Sequence, residues 1–138
     1  MTAEPVAGPG QVVIEVEAAG TLRITTADGV TSAGVGRIVD GGDFGDSYNY
    51  APPADDRLVD APHAVHVETL VEGPLRAALA VRRSYAWPPG HDALVETLVE
   101  LRADEPFVRV RISLDNQADD HRVRVHVPLA RPADAIIG

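Results

Sequence analysis

Hydrophobic and polar residues alternate two by two along much of this chain, the period that sends successive side chains to opposite faces of a β-strand. In Val12-Val13-Ile14-Glu15-Val16-Glu17, the residues Val12, Ile14 and Val16 share one face, and Glu15 and Glu17 point the other way. Ala18-Ala19-Gly20 supplies a turn, and Thr21 to Thr26 reads as the return strand. Asp28-Gly29 is a hairpin signal, because a primed turn needs positive φ that these residues tolerate. The chain therefore opens as a β-meander.

From Gly34 to Pro53 the alternation weakens and Gly, Asp, Asn and Pro accumulate, which predicts a long irregular segment. Long loops in compact domains are often functional. Alternation returns at Ala64 to Leu70 and again at Leu75 to Tyr85, where Leu75, Ala77, Leu79, Val81 and Tyr85 share a side. Trp87-Pro88-Pro89-Gly90 ends that strand. In Ala93 to Arg102 the residues Leu94, Val95, Leu98, Val99 and Leu101 also suit a helical face. Neighbouring strands and β-branched residues favour a strand there. Phe107 to Leu114 places Val108, Val110, Ile112 and Leu114 inward, and Arg122 to Val127 does the same with Val123, Val125 and Val127. Roughly eight short strands separated by turn signals predict an all-β fold, an antiparallel β-sandwich. Residues 1–10, rich in Ala, Pro and Gly, are expected as a tail, 11–130 as the sandwich domain and 131–138 as a second tail.

Composition narrows the function. The 138 residues fit one domain. Hydrophobic residues make up 45% and aromatics only 4%, so the core rests on Val, Leu, Ile and Ala, with few platforms for stacking a sugar or base. A net charge of -9, from 12 basic and 21 acidic residues, repels phosphate backbones and anionic lipid. Neither nucleic acid nor membrane is an expected partner, whereas a neutral sugar is compatible. The absence of cysteine excludes disulfides and thiolate metal sites. Met1-Thr2-Ala3-Glu4-Pro5 shows no basic region followed by an apolar stretch, and no apolar run approaches the ~20 residues of a bilayer span. A cytoplasmic location is the expectation.

The most distinctive text is Gly45-Asp46-Ser47-Tyr48-Asn49-Tyr50-Ala51-Pro52-Pro53, preceded by Asp40-Gly41-Gly42-Asp43-Phe44. It resembles the G-D-x-Y-x-Y-x-P-P signature that follows the opening hairpin of the C-terminal β region in glycoside hydrolase family 38 α-mannosidases, of which mannosylglycerate hydrolases are a bacterial branch. Gly73-Pro74-Leu75-Arg76, Phe107-Val108-Arg109-Val110-Arg111, Leu114-Asp115-Asn116 and Asp120-His121-Arg122-Val123-Arg124-Val125 follow in the family's order. The resemblance spans about Val12 to Leu129. It implies part of a galactose-mutarotase-like supersandwich.

The resemblance also implies retaining hydrolysis of α-mannosides, with two carboxyl groups about 5 Å apart and a zinc ion, all in an N-terminal α/β barrel. Nothing in this chain matches that barrel, so no catalytic residue and no metal or cofactor is expected here, and the chain alone is expected to be inactive. By resemblance, Tyr48 is the expected sugar contact, Asp46 its supporting hydrogen-bond acceptor and Asn49 a further substrate-binding residue. The implied partners are the catalytic barrel and helical bundle of a full-length enzyme, with mannoside bound at a composite site and a homo-oligomer open. An edge or core face bare here would be covered in that enzyme. Two other readings stand beside this one: a free-standing carbohydrate-binding module, for which only Trp87 and the tyrosines could stack, and a structural or subunit-contact domain.

Several features have plainer readings. Asp40, Asp43 and Asp46 are spaced by three but lack the later Glu of a calcium loop, and turn capping explains them. Tyr50 reads as packing. His63 and His66, like His121 and His126, diverge on strands and cannot chelate as pairs, and His91 follows a turn. Arg109, Arg111, Arg122 and Arg124 suggest one basic stripe paired with Glu96 and Glu100, or a contact face for a further domain. Asn116 fits an Asx turn. No G-x-S-x-G elbow or phosphate-cradling glycine loop is present.

Overall fold

The computed structural model describes residues 12–46, 48–88 and 90–132. The tail expected at 1–10 lies outside the described residues, as does all but the start of the one expected at 131–138. Among the described residues the regular elements are β1 (Val13–Val16), β2 (Leu22–Thr25), β3 (Thr31–Val35), β4 (Arg37–Gly42), β5 (Ala64–Val71), β6 (Arg76–Trp87), β7 (His91–Arg102), β8 (Arg109–Leu114) and β9 (His121–His126). Every pairing between them is antiparallel.

The strands form three sheets, ordered β1-β2-β3, β4-β9 and β5-β6-β7-β8. Packing assigns them to two layers. One buried cluster sets Ile14, Val16 and Leu22 against Val81 and Val99, and a second sets Ile38 against Tyr85, Trp87 and Val95. The four-stranded sheet is thus one layer, and the two smaller sheets lie side by side as the other. This is the antiparallel β-sandwich that the alternation predicts. The stretch that also suited a helix is β7, a strand paired on both sides, with Ala93, Val95, Thr97 and Val99 inward and Leu94 outward.

The joint between the two smaller sheets is Gly36, whose φ of 79° bends the chain out of β3 and into β4. Arg83, on the inner face of β6, reaches that joint. Its Nη1 donates to the Gly36 carbonyl at 2.7 Å and its Nη2 to Thr97 Oγ1 at 2.8 Å. Burial lowers its pKa, and among the described residues no carboxylate pairs with it.

Four expectations need correction. The irregular segment at 34–53 contains β4, invisible as a strand because Ile38, Val39 and Asp40 are all buried and period two is lost. Leu75 is exposed, because it precedes β6 in a turn. Val110, Leu114, Val125 and Val127 alternate as predicted but remain exposed, since they lie at rims of the layers. The basic stripe is split, because the 115–120 turn carries the chain from β8 in one layer to β9 in the other. Glu96 pairs with Arg82, Glu100 with Arg76 and Arg102, and Arg109 with Glu105.

Candidate functional site

The loop after β4 is built by carboxylates acting on backbone N–H groups. Asp43 Oδ1 accepts from Gly45 N and Ala51 N, each at 3.0 Å, and Phe44 N donates to Ala51 O at 2.9 Å. Asp46 Oδ1 accepts from Tyr48 N and Asn49 N, each at 2.8 Å, and from Asn49 Nδ2 at 3.2 Å. Such bonds favour the ionised form, so backbone donation by Ala51 and Gly45 holds the Asp43 carboxyl below its ordinary value, and donation by Tyr48 and Asn49 does so for Asp46. The loop closes tightly. A Cβ on Gly45 would stand 1.6 Å from the Asn49 carbonyl oxygen, which no side chain allows. Asp56 Oδ1 then accepts from Gly42 N at 2.7 Å, and Val59 returns to bridge Asp40.

This frame presents aromatic rings to solvent. Tyr48 is 94% exposed, and Phe44 and Tyr50 on the same loop are exposed too. The Arg122 guanidinium lies 4.5 Å over the Tyr50 ring, so one face of Tyr50 is covered although the residue expected to pack is 46% exposed. Asp46 accepts from the backbone of Tyr48 and Asn49 and from the Asn49 side-chain amide. By contrast, Trp87 is 1% exposed and Tyr85 equally buried, so neither offers a stacking platform.

Beside the loop lies an open cleft of about 500 Å³, lined in part by Asp40, Phe44, Asp56, Pro88, His91 and His121. Its floor holds a cluster that sequence reasoning missed. Asp40 Oδ1 lies 2.6 Å from His121 Nδ1, and His121 Nε2 lies 2.8 Å from Asn116 Oδ1, which also accepts from Ala118 N at 3.1 Å. The Trp87 ring packs on the imidazole at 5.4 Å between centroids. Asn116 is therefore the Asx cap expected and a histidine partner besides. Asp40 is a buried strand residue, and turn capping holds only for Asp43 and Asp46. No signal in the sequence reveals this cluster, because it depends on the β4–β9 register, which sets Gly42 against His121. A His–Asp pair can activate a nucleophile, but Asn116 occupies the nitrogen that a nucleophile would need. The cluster is a structural pin. Among the described residues no group of three or more His, Asp or Glu side chains is placed to hold a metal ion.

Fold and loop together define an antiparallel sandwich layer pair carrying one carboxylate-capped aromatic loop. The fold, taken without the loop, is similar to that of two solved structures. An α-mannosidase from Enterococcus faecalis V583 superposes with a TM-score of 0.78 over 89% of this chain at 18% identity. A protein in glycosyl hydrolase family 38 from Enterococcus faecalis gives the same TM-score, identity and coverage of this chain. At that identity the likeness establishes the fold. The chain spans 17% and 18% of those two chains, respectively. No protein-family model matches the sequence, and no curated protein does either.

Proposed function

We propose that this chain is an accessory β-sandwich domain of a retaining, family-38-type α-mannosidase of the mannosylglycerate-hydrolase-like bacterial branch. In this reading it supports a catalytic barrel and lends the 43–53 loop to a composite sugar site. The observation that carries the reading is the loop itself. It follows the strand that leaves the opening meander, it bears the family-like signature, and it holds Tyr48 out on a frame of five backbone-directed hydrogen bonds through Asp43, Phe44 and Asp46. A rigid frame under an exposed ring lowers the ordering cost of a contact made elsewhere. The fold likeness to α-mannosidase structures supports the same reading.

Burial of Trp87 and Tyr85 leaves the 43–53 loop as the place where a free-standing carbohydrate-binding module would stack a sugar. Nucleophile, acid/base and zinc would belong to the barrel, and this chain alone would be inactive. The test is an amide NMR titration of the chain with millimolar α-methyl mannoside. A dispersed spectrum that stays still is expected. Shifts confined to Asp46, Tyr48 and Asn49 would instead make the loop a self-sufficient binding site and overturn the accessory reading.

A further inference from the structure

β8 is an edge strand: in the order β5-β6-β7-β8 its far side has no neighbour among the described residues. Such an edge is a template for another strand, and proteins usually blunt it with proline, a bulge or an inward-pointing charge. β8 carries none of these, and its two charges, Arg109 and Arg111, lie on the outward face. Its inward positions are Val110, Ile112 and Leu114, and its register with β7 runs without a shift. Val110 and Leu114 are 41% and 38% exposed although they stand on the core face, so the apolar rim continues to the open edge.

We propose that β8 pairs with β8 of a second copy of this chain about a two-fold axis, joining two four-stranded sheets into one. The residues themselves select the register. In antiparallel self-pairing, opposite residues share a face only when the axis passes through a residue position. Centring on Arg111 would set two guanidinium groups opposite one another, a destabilising like-charge contact. Centring on Ile112 sets Ile112 against itself, Val110 against Leu114 of the second copy, and Arg109 against Asp115 of the second copy. Centring on Ser113 also opposes unlike charges, Arg111 and Asp115, but leaves Val110 against the polar Asn116. The Ile112 register matches the three apolar positions of β8 with one another and sets Arg109 against Asp115, while Arg111 faces the neutral Ser113.

Both charged partners keep capacity for the contact. Arg109 bonds Glu105 through Nε and Nη2 and stacks on Phe107 at 4.9 Å, leaving Nη1 free. Asp115 accepts from Gln117 through Oδ2 and leaves Oδ1 open. A self-complementary edge closes as a symmetric pair, which is why a second copy rather than an unrelated strand is the occupant. The inference rests on the open edge of β8.

The chain has no cysteine, so one introduced thiol reports this contact alone. Mild oxidation of Ile112→Cys should give a disulfide-linked species of twice the 14.6 kDa chain mass, and Ser113→Cys should not. In sedimentation equilibrium Arg109→Asp and Asp115→Arg should each weaken the dimer about tenfold, since two ion pairs become two like-charge contacts. The double variant should restore it. Far-UV circular dichroism and a cooperative urea transition confirm that each variant is folded. A chain that stays monomeric up to about 1 mM overturns the proposal. So does a dimer indifferent to both charge reversals, or one that cross-links through Ser113→Cys in preference to Ile112→Cys.

Discussion

The guanidinium of Arg83 donates to the carbonyl of Gly36 at 2.7 Å, tying the four-stranded sheet to the bend where the chain passes from one small sheet to the next. A buried cation with no carboxylate partner is costly, and it persists here because two oxygen acceptors from different elements meet it. Lysine keeps the charge but cannot span both acceptors. Arg83→Lys should therefore lower stability by about 2 kcal/mol, read as a shift in urea midpoint at constant slope. A change below the error of the extrapolation would show that the joint needs no bidentate donor.

Asp40 and His121 are the second fastening, this time between β4 and β9. Removing one member of a buried hydrogen-bonded pair leaves the other unsatisfied, so Asp40→Ala should cost about 3 kcal/mol in chemical denaturation. Asp43→Ala, on the exposed loop, should cost clearly less. Equal losses for the two would contradict the structural-pin account of Asp40.

Loop order should depend on pH with a definite sign. The carboxyls of Asp43 and Asp46 titrate below the ordinary value of 3.8, so their contribution is fully present above it and is lost as pH falls through their depressed values. The amide resonances of Gly45, Tyr48, Asn49 and Ala51 should hold steady down to pH 3.8 and move together below it. Movement of these amides near neutral pH would point to a different group.

Tyr48 should be dispensable for folding and needed for function. Being almost wholly exposed, Tyr48→Ala should change stability by less than about 0.5 kcal/mol. In a full-length enzyme of the proposed kind, Tyr48→Phe should raise KM or lower kcat; unchanged kinetics would remove Tyr48 from the sugar site.

Gly45 tests whether the frame matters as well as the ring. With a Cβ the 43–51 turn cannot close on Asn49, so Gly45→Ala should displace the loop amides while leaving those of the two core clusters in place. Displacement spreading through Val81 and Val95 would mean that loop and core form one cooperative unit.

What the sequence determined by itself was whatever repeats locally. Alternation at Val12 to Glu17 and at Phe107 to Leu114, and the turn at Asp28-Gly29, where Gly29 and not Asp28 takes positive φ, specify strands and hairpins through neighbouring residues alone. The capped loop was legible for the same reason, because Asp43 and Asp46 reach only a few residues along the chain. Tertiary structure decided the rest. β4 loses its period because burial on both faces erases the polar half of the pattern, and only its pairing with β9 brings Asp40 to His121 across 81 positions. Period two sets Arg83 in phase with Val81 and Tyr85, but only the convergence of three sheets supplies the acceptors that meet its charge. Long-range register and layer packing are set by contacts between segments far apart in sequence, and no local pattern of polar and apolar residues encodes them.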